Sequence, residues 1–284
     1  MIATNGLLFA GLPLQEAIQA LSELKLDAFE LPHPIFYKRV FKGSAPEEVK
    51  LLVSLLRSLD LRGLRIASVN AANDFLKPVE SEFSEEVRKT KLVVDTAAEL
   101  NVKLIRVFVG EPKEGMSKQR CRDLAIKGLR EVADYAEGTG KVLALENHGR
   151  YSNDFGEEMA ILNTIGSDAL RLNLDSGNYY WFGYTVAEVE SILRKASRLA
   201  VHTHLKNETS IGKHQRREPG ECTVARLWRG DLDIAGFVRD LRDAGYEGAY
   251  SIEEEFAGME DMTLRELREA VSEDIVNLRK ALEK

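Results

Sequence analysis

Four strand-like stretches each end in a residue that can bind a metal ion or move a proton. In Val142–His148 (VLALENH), alternation puts Ala144, Glu146 and His148 on one face and Leu143, Leu145 and Asn147 on the other. RLNLD sets Arg171, Asn173 and Asp175 against Leu172 and Leu174. VHTHLK sets His202, His204 and Lys206 against Val201, Thr203 and Leu205. YSIEEE sets Ser251, Glu253 and Glu255 against Tyr250, Ile252 and Glu254. If these strands deliver Glu146, Asp175, His204 and Glu253 to one end of a parallel sheet, they build a site of three carboxylates and one imidazole. That donor set suits a divalent cation, with Mn²⁺ or Mg²⁺ favoured and Co²⁺ or Zn²⁺ compatible. Of the two inward histidines, His204 is nearer the strand end and is the expected ligand, while His202 is expected in the core.

The elements needed to position these residues are visible along the whole chain. Further strands are expected at Leu7–Ala10, Ala28–Leu31, Leu64–Asn70 and Leu104–Gly110, and the last three of the four active strands extend over Leu170–Asp175, Leu199–Lys206 and Ala249–Glu255. Helices are expected at Leu14–Lys25, Pro46–Leu59, Ser84–Leu100, Lys118–Glu137, Glu157–Ile165, Val186–Ala196, Ile234–Ala244 and Leu264–Leu282. Pro46 suits a first helical turn, Ser84, Thr185 and Asp233 suit N-caps, and Gly245 suits a helix stop. Eight strands, each followed by a helix, predict a single-domain (β/α)8 barrel over 1–284. The intervals Glu146–Asp175 and Asp175–His204 are equal, about one strand–helix repeat of roughly 30 residues. The longer step to Glu253 predicts an extended loop over Asn207–Leu232. A doubly wound open sheet is the competing fold, but no glycine-rich phosphate loop follows the first strand.

Barrel strands need apolar outward faces, because helices cover them. Ile105, Val107, Val109, Val69, Leu172 and Leu174 supply these. The inward set near the strand ends is polar: Glu30, Ser68, Asn70, Arg106, Glu146, Asn173, Asp175, His204 and Glu253. Charges are costly to bury unless paired or metal-bound, so the cluster implies a site. His148, Lys206 and Glu255 lie one pleat above ligands and are expected to touch substrate, as are Arg106, Asn70 and Asn178. In the long loop, Lys213, His214, Arg216 and Arg217 form a basic run, and Arg217 is expected to meet an anionic group on the substrate. Trp228 either covers the site or packs the loop.

At these motifs the chain resembles the xylose isomerase-like TIM-barrel superfamily, specifically its sugar phosphate isomerase/epimerase branch. LALENHG resembles that family's fifth strand, LNLDSGN its sixth, VHTHLKN its seventh and GYEGAYSIEEE its eighth. The resemblance implies that Glu146, Asp175, His204 and Glu253 are the metal ligands. It also implies that Glu146 and Glu253 perform proton transfer α to a carbonyl, through an enediolate, on a small carbohydrate, polyol or sugar phosphate. A dehydratase similar to the inosose dehydratases is the alternative, since loss of a β-hydroxyl follows from the same proton abstraction. A non-catalytic carbohydrate-binding barrel has no need of the paired carboxylates. The chain departs from the ketose epimerases at Asn178, where many carry His. It departs from endonuclease IV at Asn70 and Asn178 and in lacking an Asp-x-His in the long loop, so a three-metal nuclease site is not expected.

Composition narrows the setting. The 284 residues carry a net charge of −7 with 44% hydrophobic residues, enough apolar material for one large α/β domain. An acidic chain is a poor general binder of nucleic acid or anionic membrane. Cys121 and Cys222 stand in no metal-binding spacing, no apolar run approaches a membrane span, and the N-terminal stretch lacks a signal peptide's cationic start. A cytoplasmic setting is expected, and homo-oligomer formation is compatible with the sequence.

Overall fold

A computed structural model describes residues 1–5, 12, 14–32 and 46–283. Strands and helices alternate: β1 Ile2–Thr4, α1 Leu14–Glu23, β2 Ala28–Pro32, α2 Pro46–Ser58, β3 Arg65–Asn70, α3 Glu80–Glu99, β4 Leu104–Val107, α4 Lys118–Gly138, β5 Val142–Glu146, and the short α5 Gly149–Ser152. The order continues with α6 Phe155–Ile165, β6 Leu170–Asp175, the short α7 Asn178–Trp181, α8 Val186–Ala196, β7 Ala200–Leu205, β8 Asn207–Thr209, β9 Thr223–Ala225, α9 Ile234–Asp243, β10 Tyr250–Ile252 and α10 Leu264–Glu283. Strands β1–β7 and β10 form the eight βα repeats expected of a (β/α)8 barrel. Among the described residues no helix is long and apolar enough to cross a membrane.

The chain divides into two compact units. One comprises Met1–Phe29, Leu61–Arg65 and Leu174–Lys284. In it β1, β10 and β7 pair in parallel, with Ile2 opposite Tyr250 and Ser251 opposite His204. The amide of Glu253 continues the ladder past β10 by donating to the Leu205 carbonyl at 3.0 Å. Helix α9 buries Ile234, Phe237, Val238 and Leu241, an i, i+3, i+4, i+7 stripe. Its N-cap is Asp233, and Thr185 closes a capping box with Glu188 at the start of α8, both as expected. Gly245 follows α9 at φ +76°, a left-handed stop.

The other unit comprises Glu30–Asp60 and Ile66–Asn173. Its ladder runs β3, β4, β5, β6, all parallel, with Asn70 opposite Arg106, Arg106 opposite Ala144 and Glu146 opposite Asn173. Ile105, Val107, Leu143, Leu145 and Leu172 have no exposed surface. Burying each such side chain contributes roughly 1.5–3 kcal/mol.

Two expectations are corrected, and a third, the strand at Leu7–Ala10, lies outside the described residues; among the described residues the first strand is Ile2–Thr4. A three-residue strand is too short for alternation to reveal. Helix α3 starts at Glu80, after Val79, four residues before the expected Ser84 cap. The Asn207–Leu232 loop holds an antiparallel hairpin, β8 with β9, with Glu208 opposite Val224.

Candidate active site

In the first unit, three predicted ligands converge. Asp175 ends β6, and its Oδ1 accepts from the amides of Gly177 at 2.8 Å and Asn178 at 2.7 Å. The Asp-Ser-Gly turn therefore occupies one carboxylate oxygen and leaves Oδ2 3.8 Å from His204 Nδ1. His204 Nδ1 lies 2.8 Å from Glu253 Oε2. The ligand atoms of Asp175, His204 and Glu253 fall within 4.8 Å of one another. His204 and Asp175 are buried, and the Glu253 side chain is 10% exposed.

Lys206 and Glu255 sit one pleat above, as alternation requires. Lys206 Nζ is 2.8 Å from Glu255 Oε2 and 3.8 Å from Glu253 Oε1. Burial pulls the Lys206 ammonium down, but the charges of Glu253, Asp175 and Glu255 outweigh it and hold its pKa well above the ordinary lysine value. The group is a fixed cation. Sequence reasoning missed the residue that aims it. The Ser176 hydroxyl donates to the Lys206 carbonyl at 2.6 Å and accepts from the Lys206 amide at 2.9 Å. Only its place in Asp-Ser-Gly hinted at more than a turn. Gly177 leaves room for the Lys206 stem, which a Cβ there would meet at 3.0–3.3 Å.

Glu254 points the opposite way, 2% exposed. Burial and the neighbouring Asp274 carboxylate on α10 push its pKa up to about 8. Arg226 Nη2 pairs with Asp274 at 3.2 Å, and Trp228 Nε1 donates to the Asp274 carbonyl at 3.2 Å. Trp228 thus packs the loop onto α10.

In the second unit, Glu146 ends β5 with 2% exposure. Its Oε2 lies 3.3 Å from Arg106 Nε and accepts from Asn173 Nδ2 at 3.2 Å. The Arg106 guanidinium lies 4.1 Å from the Phe108 ring centroid, and that ring lies 4.5 Å from the imidazole of the exposed His148. Asn70 is committed elsewhere: its Nδ2 donates to Glu30 Oε2 at 2.6 Å and its Oδ1 accepts from Ser68 at 2.7 Å. It is 1% exposed and buttresses the strand ends rather than reaching outward.

The basic run is a second departure. Arg217 Nη2 donates to the carbonyls of Tyr180 at 3.1 Å and Tyr184 at 3.0 Å, with its guanidinium 3.9 Å from the Tyr180 ring centroid. Arg216 pairs with Glu188 at 2.7 Å, and Lys213 with Asp231 at 3.2 Å. These cations fasten the loop to its own surroundings. Asn178 is buried, its backbone held by Asp175.

Repeating βα units with carboxylates and an imidazole at their strand ends are the pattern of a (β/α)8 barrel. The chain belongs to the xylose isomerase-like TIM barrel family, whose sequence model matches residues 18–280. It is 23% identical over 192 residues to an inosose isomerase of Halalkalibacterium halodurans, covering 66% of this chain and 65% of that protein, just under two thirds of its length. It is 29% identical over 140 residues to a D-psicose 3-epimerase of Enterocloster bolteae, covering 48% of this chain and 41% of that one. The fold is similar to that of IolI solved with a bound zinc atom, with a TM-score of 0.75, 17% identity and coverage of 99% and 98%.

Proposed function

We propose that this chain is a divalent-metal-dependent isomerase or epimerase of a small sugar, polyol or sugar phosphate, built as one domain. The observation that carries the reading is the convergence of Asp175, His204 and Glu253, with His204 Nδ1 2.8 and 3.8 Å from the two carboxylates. Carboxylates brought this close in a buried setting require a compensating cation, and two oxygens with one imidazole nitrogen fit Mn²⁺, Mg²⁺, Co²⁺ or Zn²⁺. Glu146 is the proposed fourth ligand, since the fold collects strand C-termini on one face. A cation held there supplies Lewis-acid polarisation of the substrate carbonyl.

The chain's own groups then move the protons. Glu146 or Glu253 removes the proton α to the carbonyl, and the other glutamate returns one to the opposite face. Arg106 and Asn173 orient Glu146, and His204 and Lys206 orient Glu253. Lys206 and Glu255, with His148, bind substrate hydroxyls. The isomerase and epimerase names of the sequence relatives support this reaction class. Dehydration is the second reading, favoured by one feature: the Lys206 ammonium, 3.8 Å from Glu253, can hydrogen-bond a departing β-hydroxyl.

The test is solvent deuterium uptake by a panel of free ketoses, ketose phosphates and inososes, with Mn²⁺ or Mg²⁺ added. Metal-dependent exchange at one carbon is expected, and product analysis separates epimer from dehydrated product. No exchange across the panel with metal in excess overturns the reading.

A further inference from the structure

The geometry points to Asn73 as a positioning residue that holds the Glu146 side of the site in register through Phe108. The inference rests on the proposed role of Glu146 in proton transfer.

Strand β4 ends at Val107, and β3 at Asn70. The chain after β3 nevertheless stays bonded to the chain after β4. Ala71 N donates to the Arg106 carbonyl at 2.8 Å, and Phe75 N donates to the Val109 carbonyl at 3.0 Å. Between these two rungs the backbone of Phe108 meets a side chain. Asn73 Nδ2 donates to the Phe108 carbonyl at 2.7 Å, and Asn73 Oδ1 accepts from the Phe108 amide at 2.9 Å. A primary amide carries one acceptor and adjacent donors in a plane, so it copies a peptide group and supplies both halves of a missing rung. Asn73 is 6% exposed. The turn itself is braced, since Asp74 takes salt bridges from Lys113 at 2.6 Å and Lys77 at 3.0 Å.

The rung extends β4 geometry by one residue, which places the Phe108 side chain on the same face as Arg106. Its ring packs on the Arg106 guanidinium at 4.1 Å and on the His148 imidazole at 4.5 Å. Arg106 Nε in turn lies 3.3 Å from Glu146 Oε2, while its buried Nε and Nη1 make no hydrogen bond. The guanidinium therefore lies between the Glu146 carboxylate and the Phe108 ring, and the ring supplies the surface on which it rests. The chain of causes is therefore Asn73, Phe108 backbone, Phe108 ring, Arg106 and then the Glu146 carboxylate. An aromatic residue held only by packing would let Arg106 rotate and Glu146 drift.

The experiment uses Asn73→Ala and Phe108→Leu in the full chain with Mg²⁺ in excess. Two quantities are read: deuterium exchange into the best ketose or inosose of the panel, and the His148 Hε1 resonance in histidine-labelled protein. That resonance feels the ring current of Phe108 and is assigned through His148→Gln. Asn73→Ala should lower kcat about 10- to 100-fold, the penalty for a misplaced reacting group. KM should stay within about threefold, and the His148 resonance should move toward its position in Phe108→Leu. Unchanged kcat overturns the inference, and so does a fall in kcat with the resonance in place. If Asn73→Ala does not fold, Phe108→Leu must still lose kcat, and full activity in it overturns the inference. If the wild type exchanges nothing, the proposed reaction falls, while the resonance in Asn73→Ala still decides: movement supports the positioning of the wall by Asn73, and an unmoved signal overturns it.

Discussion

His204 Nδ1 lies 2.8 Å from Glu253 Oε2, although 49 residues separate them, with His204 the penultimate residue of β7 and Glu253 just past β10. The contact follows from the parallel register of β7 and β10, which sets Ser251 beside His204 and leaves Glu253 one pleat beyond. A ring nitrogen, an oxygen of Glu253 and an oxygen of Asp175 thus share one small volume. Protein stripped with chelator should rebind about one equivalent of Mn²⁺, and His204→Asn or Asp175→Asn should weaken binding about 10- to 100-fold or more. Calorimetric titration and elemental analysis check this. Wild-type protein that binds no cation removes the metal from the proposed reaction.

The adjacent glutamates provide a paired control. Glu253→Gln keeps shape and one coordinating oxygen but removes the base, so deuterium exchange at saturating metal should fall about 10²- to 10⁴-fold. Glu254→Gln should leave exchange near wild type, since the Glu254 carboxyl turns toward Asp274 with its pKa raised by burial and a neutral amide mimics its protonated form. If the inactivity is instead found in Glu254→Gln, Glu253 is not the proton-transfer group.

Much of this was legible in the sequence, for physical reasons that differ by residue. The ends of β5, β6 and β7 were readable because alternation over five or six residues fixes which side chains share a face. Strand β1 and the β8–β9 hairpin were not, since three residues carry no period. Asn70 was a fair candidate by face, but its partner Glu30 lies 40 residues away, and only the folded ladder shows that its amide is occupied. The bonds of Arg217 to the Tyr180 and Tyr184 carbonyls were not legible for the same reason: a carbonyl partner has no sequence signature.

The fate of Arg217 has its own test. With its guanidinium on the Tyr180 and Tyr184 carbonyls, Arg217→Ala should speed amide hydrogen exchange through residues 209–222 and lower thermal stability. Its effect on KM should be the same for an anionic substrate and its neutral analogue. A KM penalty confined to the anionic substrate would return Arg217 to the binding site.

Acid should act on the carboxylate cluster at the start of α6. Glu157 accepts from Arg122 at 2.6 and 2.9 Å and from the Tyr151 hydroxyl at 2.8 Å. The Arg122 guanidinium, opposed by partial burial and helped by Tyr151 and Lys118, lowers its pKa to about 2 from an ordinary 4.5. A carboxylate with a depressed folded pKa stabilises the fold fully above about pH 4.5 and progressively less as pH falls toward 2. Glu157→Gln should therefore lower Tm at pH 7 by roughly 3–8 °C, and the difference from wild type should shrink below pH 4.5 and be nearly gone at pH 2. A constant gap across that range would show that the loss is steric.

The buried acid pair on the outer side of β10 also governs how this chain can be recombined with its relatives. Glu254, Arg226 and Asp274 come from a strand end, a loop and the last helix, yet they satisfy one another's charge and proton. A chimera whose crossover falls between residues 254 and 274 inherits only part of that set and buries a carboxylate without its counterpart. Grafts of the seventh and eighth repeats should therefore carry 226–274 as one block, even when only the glutamate of the site is the object of the exchange.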